Sequence, residues 1–186
     1  MAAVPSNMLP LGTIAPEFEL LDVVSGEQLS LTSLQSEKAT MIMFICNHCP
    51  YVKHVNNGLV KLVNDYQPRG VAFVAISSND VESYPEDAPE KMKDVAAELG
   101  YSFPYLYDED QLVAKAYQAA CTPDFYVFDG DVKLVYRGQM DGSRPRNDVP
   151  VTGEDLRAAL DAVLSGQPVS EEQRPSLGCN IKWKES

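Results

Sequence analysis

The stretch Ala39-Thr40-Met41-Ile42-Met43-Phe44-Ile45-Cys46-Asn47-His48-Cys49-Pro50-Tyr51-Val52 decides how this chain is read. Its first seven residues have the length and β-branched content of a central strand buried on both faces. Beyond it, Val52, Val55, Leu59, Leu62, Val63 and Tyr66 recur at helical spacing, with Lys53, His54, Asn56, Asn57 and Lys61 on the other, polar side. A proline costs a helix no hydrogen bond only in its first turn, so Pro50 places the helix start close to Asn47. Cys46 and Cys49 therefore stand at a strand-to-helix junction. Two thiols so spaced can close a disulfide and reopen it, and a helix N-terminus stabilises the attacking thiolate.

Working outward, Val71-Ala72-Phe73-Val74-Ala75-Ile76 repeats the buried-strand pattern, which makes the intervening helix a parallel crossover. Upstream, Glu17 to Asp22 and Gln28 to Leu31 read as an N-terminal hairpin turned at Gly26. Downstream, residues 79–100 are acidic and irregular and read as a solvated insertion. Within it Met92, Val95, Ala96 and Leu99 predict a surface helix ended by Gly100. Phe103 to Tyr107 predicts a strand and Gln111 to Ala120 a short helix. Phe125 to Phe128 and Lys133 to Tyr136 predict a hairpin turned at Asp129-Gly130-Asp131. A last helix covers Gly153 to Leu164, with Leu156, Ala159, Leu160 and Val163 as its buried stripe. The pattern is α/β: a central mixed sheet flanked by helices, in one domain over residues 1–165. The tail, 166–186, is expected to pack on that domain through Leu177, Ile181 and Trp183.

A chain of 186 residues with 45% hydrophobic side chains suffices for one core. A formal net charge of −12, with the acids dispersed, argues against nucleic acid or an anionic membrane surface as partner. The first eleven residues lack a basic segment followed by an apolar stretch, and no apolar run reaches membrane-spanning length. The expectation is a soluble, cytoplasmic protein. In a reducing compartment, four cysteines point to catalysis or metal binding rather than structural crosslinks.

Cys46, at the mouth of the helix, is the expected nucleophile, exposed and with a lowered pKa. Cys49, about one turn on, is expected to resolve the mixed disulfide. A structural zinc site would need a second cysteine pair, which is absent, since Cys121 and Cys179 are isolated. His48, between the thiols, is positioned to tune them and to meet substrate. His54 reads as a surface residue and Cys121 as a small buried hydrophobe. Cys179 reads equally as an idle thiol or as an extra redox thiol reaching back to Cys46 or Cys49. Arg137, Arg144 and Arg146 read as a solvated loop paired with Asp141 and Asp148.

The order of elements, the cysteine pair and Thr122-Pro123 resemble the thioredoxin fold. Gly12-Thr13-Ile14-Ala15-Pro16-Glu17-Phe18 with Leu20 resembles the opening of the alkyl hydroperoxide reductase and thiol-specific antioxidant superfamily. Cys46-Asn47-His48-Cys49-Pro50-Tyr51-Val52, Arg137-Gly138-Gln139 and Gly178-Cys179-Asn180-Ile181-Lys182-Trp183 resemble an uncharacterised peroxiredoxin-like branch of it. The resemblance implies a cis Pro123 shaping the substrate groove and a Thr122 backbone that pairs with a bound peptide. It implies thiol-disulfide exchange without an organic cofactor or resident metal. The implied partners are protein or small-molecule disulfides and thiols, and a reducing partner such as a thioredoxin or glutathione system. The peroxide-reducing members carry a threonine three residues before the attacking cysteine and a proline four before that. Counted from Cys46 those positions hold Met43 and Ala39, so direct peroxide reduction is the runner-up. Copper carriers of this fold use a distant histidine; none exists here, which leaves Cys46, Cys49 and His54 as a weaker copper-binding alternative. Ile45 replaces the usual tryptophan, and no buried carboxylate is evident as proton acceptor for Cys49.

Overall fold

The computed structural model describes residues 3–185. Its centre is a mixed seven-stranded sheet in the order β3 (Gln28–Ser30), β2 (Glu19–Asp22), β6 (Tyr105–Tyr107), β5 (Val71–Ser77), β4 (Ala39–Phe44), β8 (Asp124–Asp129), β9 (Leu134–Gly138). Strand β4 (Ala39–Phe44) runs parallel to β5 (Val71–Ser77), pairing Ala39 with Val71 and Phe44 with Ile76. β5 in turn runs parallel to β6 (Tyr105–Tyr107). On the other side β8 (Asp124–Asp129) lies antiparallel to β4 and forms a hairpin with β9 (Leu134–Gly138). The N-terminal hairpin, β2 (Glu19–Asp22) and β3 (Gln28–Ser30), extends the far edge through β6.

Every residue of β4 is buried, because both faces of the sheet are covered. Side chains alternate between the faces. Met41, Met43 and Ile45 enter the layer of α2 (Pro50–Tyr66), α3 (Pro89–Leu99) and α5 (Glu154–Leu164), against Leu59, Leu62, Met92 and Leu160. Ile42 and Phe44 face Leu31, on the short helix α1 (Leu31–Leu34), and Tyr117, at the end of α4 (Leu112–Ala116). The two buried runs thus dictate the layered α/β architecture.

Several local expectations change. Helix α2 begins at Pro50, and Cys49 is its N-cap in an extended conformation (φ −66°, ψ 123°). Asn56 is buried rather than on the polar face, and its Oδ1 accepts from the Tyr101 hydroxyl at 2.9 Å. The acidic segment folds as a 3-10 turn, Pro85–Asp87, followed by α3. It is not simply solvated, since Asp87 is completely buried. Arg144 donates to the carbonyls of Asp141 and Ser143 and to Gln139, while the Asp141 carboxylate accepts from the amides of Ser143, Thr152 and Gly153. Among the described residues, no ion pair joins these arginines to Asp141 or Asp148.

A second, three-stranded sheet has no counterpart in the sequence reading. β1 (Ala3–Pro5), β10 (Leu177–Asn180) and β7 (Cys121–Thr122) pair antiparallel in the order β1-β10-β7. The tail docks through this backbone pairing and the buried Ile181, while Trp183 is 41% exposed. Burying one isoleucine is worth about 1.5–3 kcal/mol. Two glycines permit the approach. A Cβ on Gly138 would lie 2.0 Å from the Arg174 carbonyl oxygen, and one on Gly178 2.0 Å from that of Thr122.

Candidate active site

At the end of β4 the Ile45 amide still donates to Ile76 (3.0 Å), after which the chain leaves the sheet. The following turn is built around Asp87. Its carboxylate accepts from the Asn47 amide (2.8 Å), the His48 amide (3.2 Å), His48 Nδ1 (2.5 Å) and Asn79 Nδ2 (2.8 Å). Asn47 is fixed further by Glu86 O and by the Tyr105 hydroxyl. The His48 ring stacks on Tyr84, with centroids 5.3 Å apart and planes 10° apart. Its Nε2 is buried and meets no hydrogen-bond partner among the described residues. A segment that looked like a solvated insertion therefore organises the loop between the two cysteines. The signal available in the sequence was Pro85, which starts a turn, followed two residues later by an acid.

Cys46 and Cys49 lie against Thr122-Pro123, whose peptide bond is cis. Cys46 Sγ is 3.6 Å from Thr122 Oγ1, and Cys49 Sγ is 3.3 Å from the Thr122 carbonyl oxygen. Cys179, 130 residues further along the chain, brings its Sγ to 2.8 Å from that of Cys49. Cys121 is fully buried with its Sγ 3.7 Å from the Pro123 carbonyl oxygen, as expected of a packed thiol. His54 is not a free surface residue. Its Nε2 meets Ser143 Oγ at 2.7 Å, beside a depression lined by Tyr51, Pro123, Gln139 and Arg144. The chain thus gathers Cys46, His48, Cys49, Thr122, Pro123 and Cys179 at one place and leaves Cys121 in the packing.

The electrostatics reverse one expectation. Cys46 is 2% exposed, and its thiol is held well above the ordinary value. The causes are donation to Cys49, burial, and the nearby charges of Asp87 and Cys49. Cys49 is pulled down to about 5, chiefly because the Cys46 thiol donates to it, with further donors at Cys179, Thr122 and the Val52 backbone. Its capping position adds the partial positive charge of the helix N-terminus. The contact between the two thiols thus raises Cys46 and lowers Cys49, so the pair gives up its first proton more readily than its second. Burial, followed by the hydrogen bond and charge of Cys49, pushes Cys179 up to about 12.

A cation would find donor atoms of Cys46, His48 and Asp87 within 4.8 Å of one another. This differs from the two-thiolate set with His54. One soft sulfur, one imidazole and one hard carboxylate form a mixed set that does not select a cuprous ion. Among the described residues no helix is long and apolar enough to cross a membrane.

Comparison with solved structures gives a TM-score of 0.99 to an uncharacterized conserved protein from Geobacillus kaustophilus, at 67% identity over 100% of this chain and 98% of that one. A hypothetical protein from Sinorhizobium meliloti 1021 follows at 47% identity and TM-score 0.95, over 98% and 99% of the two chains. The thioredoxin domain of a thiol-disulfide oxidoreductase from Bacteroides vulgatus aligns at TM-score 0.62 and 18% identity, over 80% and 96%, and so attests the thioredoxin-like fold. Comparison with curated proteins returns no match. Residues 11–137 match the AhpC/TSA family, a membership that supports thiol redox chemistry in general terms and accords with the paired cysteines beside the cis-proline. By that match, over more than half its length, the chain belongs to the AhpC/TSA family.

Proposed function

We propose that this protein is a thiol-disulfide oxidoreductase that exchanges disulfides through Cys46 and Cys49. The observation that carries the reading is the convergence of the two thiols on Thr122 and the cis Pro123. Both thiols are buried, but Cys49 is enclosed by Thr122 and Cys179 while Cys46 keeps 2% exposure, so in this reading an incoming disulfide meets Cys46. Cys46 attacks one substrate sulfur as its proton passes to the Cys49 thiolate, and the other substrate sulfur leaves as a thiolate. Cys49 then attacks Cys46 Sγ of the mixed disulfide, and its proton goes to the departing thiol. The net change is one substrate disulfide reduced to a thiol and a thiolate, which takes its proton from solvent, and one Cys46–Cys49 disulfide formed. His48, held by Asp87, orients the loop and lines the approach to Cys46.

Substrates in this reading are protein or small-molecule disulfides, and a cytoplasmic thioredoxin or glutathione system returns the electrons. Peroxide reduction is disfavoured because Met43, fully buried, offers no hydroxyl where peroxide-reducing relatives carry threonine. The test is stopped-flow oxidation of the reduced protein by hydrogen peroxide and by a small disulfide, comparing wild type with Cys46→Ser and Cys49→Ser. Fast disulfide exchange that requires Cys46, with slow peroxide oxidation, is expected. Fast, Cys46-dependent peroxide consumption would make the protein a peroxidase instead.

A further inference from the structure

We propose that Cys179 is a third redox thiol, and that oxidising equivalents taken in at Cys46 are passed on to a Cys49–Cys179 disulfide. The proposal rests on the Cys46/Cys49 reading above and extends it by one exchange. Three observations carry it. The Sγ atoms of Cys49 and Cys179 are 2.8 Å apart, inside the ordinary contact distance of two unbonded sulfurs. Cys49 is the middle member of the three, in sulfur contact with Cys179 at 2.8 Å and coupled to Cys46. The tail that delivers Cys179 is held in register, with Cys179 opposite Thr122 and Asn180 opposite Cys121. The edge of Thr122 that would pair with an extended peptide is thus taken by the chain's own β10, which behaves as a tethered substrate strand.

The step balances without an external reagent. The Cys179 thiol attacks Cys49 Sγ of the Cys46–Cys49 disulfide and gives up its proton to the departing Cys46, so that the Cys49–Cys179 bond forms as the Cys46–Cys49 bond breaks. No net electrons are gained or lost, and one proton moves from Cys179 to Cys46. After burial, the next two causes that hold the Cys179 proton in place come from the Cys49 thiolate. Both vanish once Cys49 is in a disulfide, and Lys182 favours the Cys179 anion. The outcome is a regenerated Cys46 and a disulfide held beneath the tail strand, which an external dithiol must reduce to complete a cycle.

The sequence makes the products separable, because trypsin leaves Cys46 and Cys49 together in peptide 39–53 and Cys179 alone in peptide 158–182. Full-length reduced protein is mixed with hydroxyethyl disulfide, quenched in acid, alkylated, digested and mapped by mass spectrometry. The expected product is a crosslink of 39–53 with 158–182 in most of the oxidised protein, with Cys46 alkylated. In Cys179→Ser it should be replaced by a loop within 39–53. In Cys46→Ser the crosslink should form at least about tenfold more slowly, since it loses its route of supply. Gly178→Ala keeps every thiol but drives a Cβ against the Thr122 carbonyl, and should shift the product toward the internal loop. A wild type that accumulates only the internal loop, with Cys179 alkylated, would overturn the relay while leaving dithiol exchange intact. An equal crosslinking rate in Cys46→Ser would overturn the route through Cys46. Formation of neither disulfide would bring down the dithiol reading itself.

Discussion

The cysteine loop and the C-terminal strand meet at one cluster of sulfurs, yet each is pinned by a different buried carboxylate. Asp87 gathers two backbone amides, an imidazole and a carboxamide, and so fixes residues 47–48 directly. Asp124, next to the cis-proline, works at one remove. It accepts from the Ser6 and Tyr126 hydroxyls, and Ser6 in turn accepts from the amide of Ser176, which leads into β10. Burial pushes the Asp124 carboxyl up to about 7, against the pull of those donors. The contrast teaches that a loop carrying reactive groups is held by donors aimed at one acceptor. The strand that delivers the third thiol hangs instead from a hydroxyl relay and a titrating acid.

The sharpest break of this comparison removes one sulfur from each region. Cys46→Ser should lower the single-turnover rate with a small disulfide on the order of a thousandfold, as loss of a nucleophile does. Cys179→Ser should leave that first turnover within about threefold, because it acts after Cys46 has reacted. Equal losses in a rapid-mixing assay would erase the division of labour.

Asp124 gives the next largest effect. The folded chain keeps its proton to about pH 7, whereas the unfolded chain releases it near 3.9. Stability from this group is therefore complete below about pH 4 and is lost as pH rises to about 7, a change of up to about 4 kcal/mol. Asp124→Asn should flatten that fall in melting temperature measured between pH 4 and 8. A smaller slope of the same sign should persist from Asp108, also raised by burial.

Asp87→Asn should cost about 1–3 kcal/mol in denaturant unfolding, because buried donors lose part of their acceptor. Removing its charge also removes one cause that raises Cys46, so the pH midpoint of alkylation at Cys46 should move down. A midpoint that stays put would confine Asp87 to a structural role. The smallest effect concerns the shared proton. With Cys49 at about 5, exchange through Cys46 should be level above about pH 6 and fall as pH drops through 5. In Cys49→Ser the profile should move to alkaline pH, cutting the initial attack at pH 7 by about tenfold.

The legible parts of this protein were those written in local patterns. The runs at 39–45 and 71–76, the helix stripe from Val52 to Tyr66, and the hairpins at Gly26 and Asp129–Asp131 all appear where their periodicity and turn residues placed them. The spacing of Cys46 and Cys49 at a strand-helix junction marked the site. What was misread depended on burial. Asp87 looked like one acid among many in the run Asp80, Glu82, Glu86, Asp87 and Glu90, where Pro85 marks a turn but burial alone selects the acid that turns inward. Likewise Pro50 showed that a helix starts nearby but not that Cys49 is its cap.

The sequence by itself determined the α/β layering and the cysteine pair, because periodicity and spacing act between residues close along the chain. Only the tertiary structure decided that Cys46 is raised and Cys49 lowered, and that Cys179 sits 2.8 Å from Cys49. A thiol's proton affinity depends on donors and charges within a few ångströms, and here those come from β7, the Asp87 turn and a tail strand 130 residues away.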